Sequence, residues 1–264
     1  MRNYFEIQNK KIYFRIEGSG KAIVLLHGFP FSLNLWDDMS RELSKEYRVL
    51  SIDLPGFGDS ESIASIHTMD MMAQVVKVAL DINNISKCIL LGHSMGGYVT
   101  LQFADKYPEL LSGFGLLHSH AMADTDEGKK NRDRVIEAVK KNHKNFVSNF
   151  IPELFTAENN RIYSKEIEKI IQHSNKTSTE SIIAAMAGMK EREDKLHVLK
   201  NAKCPVLFIL GRHDKRLPIP LALEQAALPD TSDIIVLGKS SHMGFIESRN
   251  DFLISIRAFA QKYM

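Results

Sequence analysis

Only two cysteines occur in the 264 residues, so neither a disulfide framework nor a cysteine-rich metal site is expected. Cys88 and Cys204 each open an apolar run and read as buried free thiols, which fits a reducing, cytoplasmic setting. No apolar stretch approaches the roughly 18 residues that a membrane span needs. The opening "MRNYFEIQNKKIYFRIEG" alternates apolar and polar residues and has no continuous apolar core, so no secretory leader is expected. A charge excess of one sign is missing too. The 34 basic and 32 acidic residues leave a formal charge of +2, too little to point to nucleic acid or an anionic membrane as partner. The lysine pairs at 129–130 and 140–141 stand among acids and read as solvated helix faces. The G-x-G-x-x-G spacing of a dinucleotide site is absent, and neither a cofactor nor a metal is expected. The sequence leaves the oligomeric state open.

What remains is 44% hydrophobic and 25% charged, an ordinary composition for one soluble domain with a sizeable core. Two short alternating segments, Tyr4–Ile7 and Lys11–Ile16, predict an antiparallel hairpin. Six continuous apolar runs follow: "AIVLLH" (22–27), "RVLSID" (48–53), "CILLG" (88–92), "GFGLLH" (113–118), "PVLFILG" (205–211) and "DIIVLG" (233–238). Runs of that length suit strands buried on both faces. Helical spacings lie around 35–45, 67–82, 95–107, 218–227 and 246–262. The fold class is therefore α/β, a mostly parallel sheet with helices on both faces. One stretch breaks the rhythm. Residues 121–200 carry 28 of the 66 charged residues and no strand-like run. They do carry helical spacings such as Phe146, Phe150 and Leu154. The expected division is a core of 1–120 and 196–264 with a helical insertion over 121–195.

The stretch "CILLGHSMGGYV" (88–99) places a serine between glycines where a strand hands over to a helix. Gly92-His93-Ser94-Met95-Gly96 matches G-x-S-x-G, a short pattern that gains meaning from that strand-to-helix context. A sharp turn there leaves the serine oxygen exposed at the top of the sheet, while the glycines allow close helix–strand approach. A serine hydroxyl is a poor nucleophile without a base. Of the histidines after Ser94, only His242 lies beyond the last predicted strand, in "GKSSHMGFIE". The base needs a carboxylate to fix its tautomer. Asp214 ends "VLFILGRHD" at the C-terminal end of a strand, the edge where parallel sheets do their chemistry. Asp124, after the preceding strand, is the alternative acid. His93 and His213 are expected to fill structural positions. An oxyanion needs preorganised donors. Met95 N–H at the helix start is one candidate. The other comes from "LLHGFPFS", where Pro30 lacks an N–H and the choice lies between Gly28 and Phe29. His27 reads as a scaffold residue of that loop.

Together, "HGFP" (27–30), "DLPGFGDS" (53–60), "GHSMGG" (92–97), "GRHD" (211–214) and "SHMGFIE" (241–247) resemble the α/β-hydrolase superfamily in content and in order. The resemblance spans nearly the whole chain. It implies Ser94 as nucleophile, Asp214 as acid, His242 as base, Phe29 and Met95 as oxyanion donors, and a helical cap over the site. It also implies a mainly structural role for "DLPGFGDS". One departure is Gly244, where the family often has proline two residues after the histidine. With serine rather than aspartate at the elbow, acyl transfer to water through an acyl-enzyme is the expected reaction. A small or medium carboxylic ester is the expected substrate, with lactone, thioester or C–C bond hydrolysis, perhydrolysis, or a ligand receptor retaining the triad as alternatives. Phe150 and Met186 are expected in the roof over the substrate. His118 and His120, two apart at the end of a strand, either both satisfy backbone groups at the start of the cap, or at least one of them faces the substrate.

Overall fold

Strands form where the apolar runs lie. In the computed structural model, which describes residues 3–264, they are β1 (Asn3–Ile7), β2 (Lys10–Glu17), β3 (Ala22–Leu26), β4 (Arg48–Ile52), β5 (Cys88–His93), β6 (Leu111–Leu117), β7 (Val206–Gly211) and β8 (Ser232–Leu237). Residues 1 and 2 of the expected core lie outside the described residues. The strands make one sheet in the order β1-β2-β4-β3-β5-β6-β7-β8. The hairpin β1–β2 closes through Gln8 and Asn9, with φ of +52° and +59°, the backbone that a two-residue turn between twisted strands requires. β2 pairs antiparallel with β4, and every pairing from β4 onward is parallel. Every residue of β3, β5 and β7 is buried, as continuous apolar runs demand of strands covered on both faces.

The helices are α1 (Asp37–Leu43), α2 (Met69–Ile82), α3 (Met95–Lys106), α4 (Asp126–Phe150), α5 (Ala157–Ile162), α6 (Ser164–Ser174), α7 (Thr179–Glu191), α8 (Leu196–Lys200), α9 (Ile219–Ala226), α10 (Gly244–Glu247) and α11 (Arg249–Tyr263). The last two stand where one helix is predicted over 246–262. Ser248 separates them with φ −139° and ψ +52°, and its hydroxyl accepts from the Ser240 hydroxyl at 2.8 Å. The helix predicted from 35 likewise starts as a 3-10 turn over Leu33–Trp36. Helices α4 to α7 interrupt the βα alternation between β6 and β7. Within α4 the backbone breaks at Asn142, whose side chain caps Asn145 N–H at 3.0 Å. Among the described residues no helix is long and apolar enough to cross a membrane.

This topology creates a crevice. β3 has β4 on one side and β5 on the other, so the chain leaves these neighbouring strands in opposite directions. The C-terminal ends of β3 and β5 flank the gap, which is where open parallel sheets bind ligands.

Candidate active site

β5 ends at His93 and α3 starts at Met95, which leaves Ser94 alone in the corner. Its φ of +51° and ψ of −114° lie where side chains are rarely found. Such a conformation costs about 1–3 kcal/mol and persists only when its surroundings hold it. Here Ser94 N–H donates to Leu117 O at 3.0 Å, while Ser94 O accepts from Gly97 N–H at 2.9 Å and from the Ser119 hydroxyl at 2.8 Å. The glycines let the corner close. A Cβ on Gly92 would lie 2.1 Å from Gly96 O, and one on Gly96 would lie 2.6 Å from Leu26 O. Ser94 itself stays half-buried at the sheet's C-terminal edge.

Asp214 follows β7, and its carboxylate is saturated with donors. Oδ1 accepts from the backbone N–H groups of Arg216 at 2.9 Å and Leu217 at 3.3 Å. Oδ2 accepts from Nδ1 of His242 at 2.7 Å and from Nδ1 of His118 at 3.3 Å. Burial opposes ionisation, but the charge of His242 and the hydrogen bonds from His118 and His242 outweigh it. They hold the carboxyl far below the usual carboxylate range. With Nδ1–H committed to Asp214, His242 keeps Nε2 as an acceptor, the form a general base needs. His93 donates from Nε2 to the His242 carbonyl at 2.9 Å and so braces the loop that carries it. Burial, reinforced by the charges of His242 and His118, pushes His93 well below the usual histidine value. Burial also pushes His118 down, against the opposing pull of Asp214. Both shifts favour the neutral rings.

The donor atoms of His118, Asp214 and His242 lie within 4.8 Å of one another, a spacing that a metal ion can bridge. Hydrogen bonding already accounts for it, because both imidazoles donate to one carboxylate oxygen.

The loop after β3 packs against the elbow. A Cβ on Gly28 would lie 2.6 Å from His93 Nδ1 and 3.1 Å from Ser94 Cβ, so this position favours glycine. Among the described residues, neither Phe29 N–H nor Met95 N–H donates to a protein acceptor. His27 holds the loop in shape. Its Nε2 accepts from Leu54 N–H at 3.0 Å and its Nδ1 donates to Gly28 O at 2.9 Å. Burial brings its pKa down to about 4 in spite of that bond to Gly28. Asp53, from "DLPGFGDS", accepts from Leu33 N–H at 2.7 Å and Asp59 N–H at 3.1 Å, fixing the same region.

The residues expected near the substrate are not all alike. His118 has φ +51°, which turns the chain out of extended geometry, so His118 and His120 meet different partners. His118 is buried, with Nδ1 on Asp214 and Nε2 accepting from Gly244 N–H at 3.3 Å, which leaves His120 as the one of the pair beside a cleft. His120 Nε2 lies 3.3 Å from the Tyr98 hydroxyl, beside a cleft of about 320 Å³ that Gly188 and Arg192 also line. Phe150 stands edge-on to Phe29 at 5.7 Å between ring centres, with the Arg216 guanidinium 4.5 Å over its ring. Met186 is buried in the insertion, its sulfur 3.6 Å from Arg132 Nη1. The alternative acid, Asp124, is committed to Arg132 and to Arg192, the latter at 2.7 Å. Burial works against that ionised carboxylate, and the two arginines overcome it.

One buried acid carries a role the sequence reading did not give it. Glu247 Oε2 accepts from Ser241 N–H at 2.8 Å and Met243 N–H at 3.1 Å, on either side of His242. Its Oε1 accepts from Thr156 N–H at 3.2 Å and Asn159 Nδ2 at 2.8 Å, both in the insertion. His242 N–H itself donates to Leu154 O at 2.9 Å. A cleft of about 460 Å³ reaches Asp214 and His242 between Pro152, Phe155 and Arg216. The signal in the sequence was an acid closing the apolar run of "SHMGFIE".

A family model described as alpha/beta hydrolase fold matches residues 21–166. Among solved structures, a thermophilic esterase from Thermogutta terrifontis is 32% identical with a TM-score of 0.92, covering 100% of this chain and 99% of that one. Two curated relatives resemble the chain along its length. The pimeloyl-[acyl-carrier protein] methyl ester esterase of Aliivibrio salmonicida is 26% identical over 95% of this chain and 96% of that protein. The 2-hydroxy-6-oxononadienedioate/2-hydroxy-6-oxononatrienedioate hydrolase of Burkholderia vietnamiensis is 27% identical over 96% and 91%. A longer relative, the dihydrolipoyllysine-residue acetyltransferase component of the acetoin cleaving system of Pseudomonas putida, is 26% identical, and the chain spans 66% of its length.

Proposed function

The chain belongs to the alpha/beta hydrolase fold family and is a hydrolase of that fold, and we propose that it cleaves a small or medium carboxylic ester through an acyl-enzyme on Ser94. One observation carries this reading. A serine in a strained left-handed corner stands at the sheet edge that also bears His242 hydrogen-bonded to an ionised Asp214 at 2.7 Å.

Ser94 Oγ attacks the ester carbonyl carbon while its proton passes to His242 Nε2. The carbonyl oxygen becomes an oxyanion and takes hydrogen bonds from Phe29 N–H and Met95 N–H. A donor of that kind is worth on the order of 10²–10³ in kcat. The C–O bond of the leaving group breaks and the imidazolium returns the proton to the departing alkoxide. Water then attacks the acyl-enzyme with His242 again as base, the acid leaves, and Ser94 regains its proton. Asp214 remains a carboxylate throughout, fixing the tautomer and offsetting the imidazolium charge.

Phe29, Phe146 and Phe150 form an aromatic group beside the oxyanion loop, which supports an apolar acyl portion. His120, just before the insertion, and Met186, within it, are candidate contacts for the rest of the substrate. The two free thiols, raised by burial to about 12 for Cys88 and about 11 for Cys204, suit a reducing, cytoplasmic setting. The test is a fluorophosphonate probe together with turnover of p-nitrophenyl acetate. Wild type is expected to be labelled and to turn over repeatedly. A protein that is folded yet neither labelled nor active overturns the reading, and labelling without turnover favours a receptor that keeps the triad. Relatives of similar identity carry the names of a methyl ester esterase and an oxo-dienedioate hydrolase, so substrates of both kinds belong in the assay.

A further inference from the structure

His118 touches Asp214 directly, the mechanism above does not use it, and its surroundings are unusual for a filler residue. Its φ of +51° is strained for a residue with a side chain. Its backbone N–H is pinned to Ile209 O at 2.9 Å, and the ring is fully enclosed. Both ring nitrogens are spent. Gly244 N–H can only donate, so Nε2 must be the bare acceptor at 3.3 Å. The neutral ring then carries its proton on Nδ1, 3.3 Å from Asp214 Oδ2. That same oxygen receives Nδ1–H of His242.

We propose that His118 is a positioning residue of the triad, a second imidazole on Asp214 that shares the carboxylate with His242 and ties it to the His242 loop through Gly244. The proposal rests on the serine-hydrolase reading. Position 244 fits it from the other side. A Cβ there would lie 2.5 Å from His118 Nε2, and a proline would also remove the N–H that Nε2 accepts. The departure noted at Gly244 and the histidine at 118 are thus two halves of one contact.

Sharing has a chemical consequence. A donor on Oδ2 draws off part of the negative charge that would otherwise stabilise protonated His242. Without that donor more charge stays on Oδ2, so labelling of Ser94, which needs the bare Nε2 of His242, should begin at higher pH. Besides Asp214, the other titratable groups around His242 are His93 from β5, His120 after β6, Glu153 of the insertion, Lys215 and Arg216 after β7, and Glu247 of α10. None of them shares Oδ2.

Two substitutions separate the two arms. An asparagine amide nitrogen sits where imidazole Nδ1 sits, and asparagine tolerates positive φ. His118→Asn therefore keeps the donor to Asp214 and loses Gly244. A glutamine amide reaches the place of Nε2, so His118→Gln keeps an acceptor for Gly244 N–H and loses Asp214. The readout is the rate of fluorophosphonate labelling of Ser94 from pH 4 to 9, which needs no natural substrate; wild-type labelling tests the serine-hydrolase reading separately. In His118→Gln the pH of half-maximal labelling should rise by about 0.5–1. In His118→Asn it should stay within about 0.2 of wild type, while the plateau falls about 3–10-fold as the His242 loop loosens. A His118→Gln profile that coincides with wild type overturns the proposal, as does a His118→Asn profile shifted equally far. Nitrogen NMR of the wild-type imidazoles gives a check that depends on no variant: His118 should be protonated on Nδ1 near neutrality, and protonation on Nε2 overturns it.

Discussion

Replacing Asp214 by asparagine probes the whole site, because this carboxylate accepts four N–H groups and an amide can accept at only one of its two ends. If the amide oxygen stays on the Arg216 and Leu217 N–H groups, its NH2 faces both histidines. Each ring must then carry its proton on Nε2. His242 in that tautomer cannot take the Ser94 proton, and His118 Nε2–H opposes Gly244 N–H. If the amide flips, the NH2 meets the two backbone donors instead. Either way two buried donors lose their acceptor, at about 1–3 kcal/mol each. The expected destabilisation is about 2–4 kcal/mol, or a Tm lower by roughly 4–16 °C for a chain of this size. Activity should fall further, by on the order of 10³–10⁴ in kcat, which is about 4–5.5 kcal/mol of transition-state stabilisation. The pH dependence has a definite sign. Asp214 titrates lower in the folded state than unfolded, so its contribution is complete above the unfolded value near about 4. It is lost as pH falls toward the folded value, so the gap in Tm should narrow below about pH 4. Melting curves and fluorophosphonate labelling rates measure both effects. Labelling of Asp214→Asn within tenfold of wild type, or an Asp124→Asn variant that is the slower of the two, refutes the assignment.

Ser94→Ala should retain the fold and lose all probe labelling; persistent labelling would place the nucleophile elsewhere. Gly92→Ala drives a Cβ to 2.1 Å from Gly96 O, so the elbow must distort. The expected cost is about 3–5 kcal/mol by chemical denaturation together with a loss of labelling, and a stable, reactive variant contradicts the close packing. Phe150→Ala and Met186→Ala should shift acyl chain-length preference more than the rate with p-nitrophenyl acetate, since Phe150 packs on Phe29 and Met186 fills the insertion. An unchanged preference in both assigns the acyl pocket to the core loops.

Much of this architecture is legible in the chain because strand burial leaves a local signature. Continuous apolar runs mark β3 to β7, and the glycine-flanked serine marks the corner between β5 and α3. Asp214 and His242 could be read because each ends a strand or follows the last one, and topology alone brings such positions to one edge. The part not legible was pairwise. Nothing around His118 announces a left-handed backbone, and that one dihedral turns its ring from the expected cleft onto Asp214. Gly244 reads as a neutral departure in the sequence, because only the fold sets the His118 imidazole against it. The break at Ser248 belongs to the same class, because its partner Ser240 lies outside the helical pattern.

Glu247 bears on how this protein can be re-engineered. Exchanging the helical insertion for one from a relative treats it as a cassette, with splice points chosen where the sheet ends. Thr156 and Asn159 donate to Glu247, Asn159 also donates to Lys239 O, and Leu154 O receives His242 N–H. These residues lie inside the cassette by sequence, yet their hydrogen bonds hold the loop that carries His242. A chimera that discards them leaves buried polar groups on both sides of the junction, at about 1–3 kcal/mol apiece, and loosens the loop that must aim the imidazole. A graft that retains 151–160 from this chain and replaces only what lies on either side changes the rest of the insertion and keeps these hydrogen bonds.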